Sequence, residues 1–217
     1  MPNDPERPRR RYVSPVREAA LAATHGRIVD SAAELFAKDG YRSTTLAAIA
    51  ERAGVSVPRV NLSGSKPALL VEAYQARAGG SARLRPVTEE PDLQAIMAKP
   101  APEALAAYVV WLTRAHEQSV GLWFALREAA ATDPEAAAAF DAVEKSNDDA
   151  CVAAVGWAQA NGLLTGDVDL GERAQTWSHL SSAEPYRHFV VERGWSPERY
   201  QQWVRRALDR LVFALAE

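Results

Sequence analysis

Three side chains in one short stretch have the types and spacing to read a nucleic acid. Arg59 and Asn61 stand two apart in "GVSVPRVNLSGSKPALL" (54–70), and Lys66 follows five residues on. A guanidinium can donate two bonds to the edge of guanine, an amide can pair with adenine, and a lysine suits a backbone phosphate. Other chemistry finds no such grouping. His25, His116, His179 and His188 have no metal-ligand spacing, and Glu184 with His188, four apart, makes a shared helix face but not a site. No HExxH, GxSxG, phosphate-binding glycine loop or dinucleotide fingerprint occurs. Cys151 is the single cysteine; within a helix it reads as a small buried hydrophobe. No catalytic residue, metal site or cofactor is therefore expected.

To enter a major groove, Arg59 and Asn61 must project from one narrow element. Residues 45–62 supply the plan: a helix over about 45–53, with Leu46, Ile49 and Ala50 inward, a Gly54-Val55-Ser56 turn, and a shorter helix over about 57–62. Ser56 is placed to cap that second helix, and Pro58 is tolerated in its first turn. Ser63-Gly64-Ser65 turns the chain, and Ser65 caps a helix reaching about residue 82. Upstream, Ser14-Pro15 starts a helical segment that Gly26 weakens or breaks, with Thr24 as a second cap. Ile28, Ala32, Leu35 and Phe36 then share a face until Asp39-Gly40. Many helical corners share this plan. It leaves open an all-helical enzyme or binding module with an incidental helix-turn-helix.

The rest of the chain also patterns as helix, with almost no strand signal. "RLRPVTEEPD" reads as a linker. Helices are expected over about 91–98, 102–117, 120–131, 134–161 and 169–193, then, after the stop and restart "GWSPERY", to about 216. That makes nine or ten helices and an all-α fold. No apolar run approaches the ~20 residues that span a bilayer, and no apolar segment follows the N-terminal charges, so a cytoplasmic protein without a membrane partner is expected. Charge is uneven. Residues 1–66 hold 11 Lys and Arg against 7 Asp and Glu, whereas the remainder holds 14 against 21. A basic head on an acidic body suits an N-terminal nucleic-acid module; a basic tail that aids solubility fits the charge equally well. Residues 1–14 are polar and proline-rich, an expected disordered basic arm whose "RPRRRY" has the charge for a minor groove.

The stretch "GRIVDSAAELFAKDGYRSTTLAAIAERAGVS" closely resembles the N-terminal domain of TetR-type transcriptional regulators. The matching pieces are Arg27-Ile28, "AAELF" at 32–36, Gly40-Tyr41, Thr44-Thr45, Ile49-Ala50, "AGVS" at 53–56, and the later Ser65, Lys66 and Leu69. "YRHFVVERGWSPERY" is similar, less specifically, to the end of many members.

The resemblance implies an all-α homodimer. Each subunit would have a three-helix DNA-binding helix-turn-helix head (15–83) and a larger ligand-binding and dimerisation body (84–217). The partners it implies are a double-stranded DNA operator and a small-molecule effector. The implied function is a repressor released from a palindromic operator by a small apolar effector. The DNA-binding set is then Arg42, Thr44, Thr45, Ser56, Val57, Pro58, Arg59, Asn61 and Lys66. Large aromatics are more often core than pocket, yet Tyr74, Tyr108, Trp111, Trp123, Phe124 and Trp157 are the candidates for lining a ligand site. Trp177, Tyr186, Phe189, Trp203, Leu208, Leu211, Val212 and Leu215 are the candidates for a two-fold four-helix interface.

The chain departs from the family in its recognition helix. Val60 is followed by Asn61 where a Tyr is usual, no Phe precedes Ser65-Lys66, and the path is one residue shorter. Leu62 is expected to anchor the helix in place of the Phe, and Gly64 to take a positive φ in the shortened turn.

Overall fold

A computed structural model describes residues 15–77, 91–164 and 169–213. The basic arm at 1–14, residues 83–90 of the linker, the 83/84 boundary and Leu215 lie outside the described residues, while the linker's last two residues, Pro91 and Asp92, begin a helix.

Every regular element among the described residues is helical. The first, α1, covers Pro15–Ser43. Gly26 does not break it, and Thr24 is no cap: its hydroxyl donates to the Ala20 carbonyl inside the helix. The expected stop is real, since Gly40 leaves helical geometry at φ 77°. Next come α2 (Leu46–Ala53), α3 (Val57–Asn61) and α4 (Lys66–Arg77). Thr45 caps α2 by accepting the Ala48 N–H at 3.1 Å, and Gly54 ends it in the left-handed region at φ 66°. Ser65 caps α4 through the Ala68 N–H at 3.2 Å. Ser56 holds the N-cap position of α3 without a side-chain cap bond.

The body contains α5 (Pro91–Met97), α6 (Ala101–Ala130), α7 (Pro134–Ala160) and α8 (Leu170–Leu180). The short α9 (Ala183–Tyr186) continues as a π-helical turn over Arg187–Glu192, and α10 (Pro197–Ala207) continues likewise over Leu208–Val212. Asp133, Asp169 and Ser196 cap α7, α8 and α10 through side-chain oxygens. The expected pair of helices over 102–131 is one helix, α6. Gly121 stays helical there because α1 needs its bare surface: a Cβ at Gly121 would lie 2.6 Å from the Ala37 carbonyl oxygen.

The expected single helix over 169–193 is broken at Ser181-Ser182. Pro185 has no N–H for the carbonyl four residues back, that of Ser181. His116 Nε2 lies 3.1 Å from that oxygen instead.

Two buried clusters result. One joins α1–α4 to the C-terminal half of α6, with Phe36, Ile49, Val60 and Leu69 meeting Leu122 and Leu126. The other fills the body around Leu105, Trp177, Tyr200, Leu208 and Phe213.

Candidate functional site

The reading edge stands at the far end of the head. Within the five residues of α3, Val60 is fully buried, which turns Val57, Pro58 and Asn61 outward and leaves Arg59 half exposed. Val60 therefore anchors the helix. The expected anchor, Leu62, is 80 % exposed, because it follows the last helical residue and points off the head's core. Gly64 takes a positive φ of 156°, as the short turn requires. Thr45 stays exposed beside its capping role, whereas Thr44 is buried and its hydroxyl donates to the Gly40 carbonyl at 2.8 Å. The Thr44 side chain thus holds the corner and is not on the binding surface.

Arg42 and Lys66 lie where head meets body. Lys66 Nζ sits 4.2 Å above the Tyr41 ring, and partial burial draws its ammonium below the ordinary lysine range while Glu128 pulls the other way. Glu128 of α6 accepts the Tyr41 N–H at 2.9 Å and lies 4.0 Å from Arg42. The Ser65 hydroxyl donates to Glu135 of α7 at 3.1 Å. Residues on both flanks of the recognition helix are thereby tied to the two longest helices of the body.

A cavity of about 240 Å³ opens within the body between α4–α8. Its walls include Tyr74, Tyr108, Trp111, Trp123, Trp157 and Trp177. Three of the indole N–H groups are already donated to the protein: Trp123 to Glu144 Oε1 at 3.2 Å, Trp157 to the Met97 carbonyl at 3.1 Å, Trp177 to the Tyr108 hydroxyl at 3.2 Å. Tyr108 passes its own proton to Ser181 Oγ at 2.8 Å. These four rings therefore offer faces and edges of carbon to a guest, not donors. His116 also lines the cavity; burial holds its pKa down to about 4, so the ring is neutral at pH 7. The carbonyl of Ser181 can only accept, which places the His116 proton on Nε2. Glu144 is half-buried, and burial raises its carboxyl above the usual carboxylate range, opposed by the Trp123 bond. Cys151 forms part of the wall, its thiol pushed up to about 12 by burial, so it is inert at neutral pH.

Residues 28–73, within the head, match the family described as bacterial regulatory proteins, tetR family. That stretch is a TetR-type DNA-binding domain by its match. The match is to DNA-binding regulators and not to a family of enzymes. No curated protein matches the sequence. Solved structures match the whole architecture. The fatty acid degradation regulator FadR from Bacillus halodurans aligns at a TM-score of 0.68 and 18% identity, over 92% of this chain and 97% of that one. The regulator FadR from Bacillus subtilis, in complex with stearoyl-CoA, gives 0.68 and 18%, over 88% and 100%. A proposed transcriptional regulator from Saccharomonospora viridis, in complex with choline, gives 0.67 and 19%, over 87% and 96%. At such identities the likeness is one of fold.

The structure changes several expectations. Phe124 does not line the cavity; it lies outside, beneath the guanidinium groups of Arg127 and Arg187 at 4.6 and 4.1 Å. Trp177, Tyr186, Leu208 and Val212 are buried inside the subunit and are not free for an interface. Their helical spacing marks an apolar face, and that face packs intramolecularly. Phe189, Trp203 and Leu211 stay partly exposed, Leu211 by 53 %. His188 pairs with Glu192, not Glu184, which bonds Arg127 instead. Among the described residues no group of His, Cys, Asp or Glu could hold a metal, and no helix is long and apolar enough to cross a membrane. Sequence reading missed Glu144, His116 and Ser181. Ser181 alone had a local signal, Pro185 four residues on.

Proposed function

We propose that this regulator is a cytoplasmic, homodimeric repressor, released from a palindromic operator by a small, largely apolar effector. Residues 15–83 form the DNA-binding unit and 84–217 the ligand-binding and dimerisation unit. The observation that carries this reading is that α4 serves both: its N-terminus holds Lys66 directly after the recognition element, and its C-terminal part puts Tyr74 and Gln75 into the cavity wall. A guest that displaces Tyr74 tilts the helix that carries the head. The ties from Glu128 and Glu135 pass the same shift from α6 and α7. Two recognition helices must stand about one DNA turn apart, roughly 34–36 Å, so a small tilt is enough to lose one half-site. Relatives of the same fold solved with stearoyl-CoA and with choline are consistent with an effector-binding body.

Phosphates are contacted by Arg42, Thr45 and Lys66, bases by Arg59 and Asn61, with Ser56, Val57 and Pro58 at the groove surface. Partly exposed Phe189, Trp203 and Leu211 belong to the dimer face. The test is retardation of the chain's own upstream DNA at several salt concentrations. Arg59→Ala should cost about 1–3 kcal/mol and relax specificity, while Lys66→Ala should weaken all sequences alike and lower the salt slope by about one. Equal binding to random DNA at every salt concentration would sink the reading.

A further inference from the structure

The cavity has one charged wall residue among its described lining, Glu144, and no Lys or Arg beside it. Its Oε1 accepts the Trp123 N–H, and no cation pairs with it among the described residues. Arg127, the basic group that acts on it electrostatically, is committed elsewhere: it bonds Glu184 at 2.9 Å and lies over the Trp123 and Phe124 rings. Glu184 and Asp148 add negative potential at the same carboxyl. A half-buried carboxylate facing an apolar cavity without a counter-ion is costly. The rings around the space present faces that carry negative charge density.

We propose that this cavity takes an organic cation, a quaternary ammonium or protonated amine on a compact apolar body, with Glu144 as its counter-ion. Trp and Tyr faces attract such a cation, most strongly where water is excluded. An anionic ligand meets the opposite field and no base to receive it. The volume of about 240 Å³, below the ~300–1,000 Å³ usual for ligand pockets, calls for a compact guest. This assignment names the chemistry of the effector and so rests on the regulator reading above.

The charge series that tests it keeps the benzyl body constant. Benzyltrimethylammonium, its neutral isostere neopentylbenzene, and the anion phenylacetate are titrated against the full chain, read by tryptophan fluorescence and thermal shift. The cation should bind about tenfold more tightly than the neutral isostere, and phenylacetate should be weakest. Glu144→Gln, of nearly the same shape, should shrink that preference to about threefold or less and should improve phenylacetate. Neopentylbenzene or phenylacetate matching the cation on the natural chain overturns the proposal, as does a Glu144→Gln variant that keeps the full preference. Should that variant not fold, the series on the natural chain decides alone. DNA retardation with and without benzyltrimethylammonium separates the two readings. Specific DNA binding without a cation preference removes the ligand assignment and leaves the regulator. A cation preference without specific DNA binding does the reverse.

Discussion

The head and the body bury similar side chains by different routes. In the head, Ile28, Ala32 and Phe36 repeat at helical spacing in the sequence, and all three are fully buried in the structure. In the body, the cavity draws its walls from Tyr74 to Ala183, mostly from α6 and α7, with fewer side chains from α4, α5 and α8. A full core is predictable from the faces of its helices. A cavity is a place where such faces fail to fill the space, and that depends on distances between helices that no local pattern records. Both regions cap their helices locally, and the body adds a buried bond between His116 and Ser181 across 65 residues.

The strongest way to break this contrast is Phe36→Ala. Its loss should cost about 3–5 kcal/mol. All six tryptophans lie at or beyond residue 111, so their fluorescence reports the body alone. Because Phe36 shares a cluster with Leu122 and Leu126 of α6, circular dichroism and tryptophan fluorescence should shift together in urea. A head that melts first, with the fluorescence transition unmoved, would show the two regions to be independent.

The next effect is acid sensitivity of the body. His116 has a folded pKa of about 4 against an ordinary 6.5, so the unfolded chain binds its proton first as pH falls. The stability it secures is complete above pH 6.5 and is lost progressively toward pH 4, to a total of about 3 kcal/mol. Glutamine keeps an N–H for the Ser181 carbonyl but cannot titrate. The difference in urea midpoint between the natural chain and His116→Gln should therefore change over that window, and a constant difference would refute the assignment.

The smallest effect sharpens the seam between the regions. Gly121→Ala forces a methyl against the Ala37 backbone, at a cost of about 1–3 kcal/mol. Gly26→Ala is the control, since nothing lies within 4 Å of its Cβ and helix propensity alone should stabilise by up to about 1 kcal/mol. If the two variants change the urea midpoint alike, the close approach of α1 and α6 has no energetic weight.

The recognition helix shows how far local reading reached and where it stopped. The turn at Gly54 and the outward Val57, Pro58 and Asn61 were legible, because each depends on neighbours within four residues. The anchor was not. Val60 and Leu62 are both apolar and two apart, so one of them had to face inward, and only the packing of α3 on the head decided for Val60. The same ambiguity misplaced Trp177, Tyr186, Leu208 and Val212. An apolar stripe states that a face is covered, not whether its own subunit covers it.

The sequence by itself determined helices throughout the described residues, a TetR-type head, the turns at Gly40 and Gly54 and the cap at Ser65, since short-range backbone geometry and helical periodicity are written locally. Tertiary structure decided the rest: that the head shares its core with α6, that Pro185 frees a carbonyl for His116, and that Glu144 faces a ring-lined cavity. Each of these brings together residues far apart in the chain, and the free energy that selects them comes from packing and desolvation, which exist only once the helices have met.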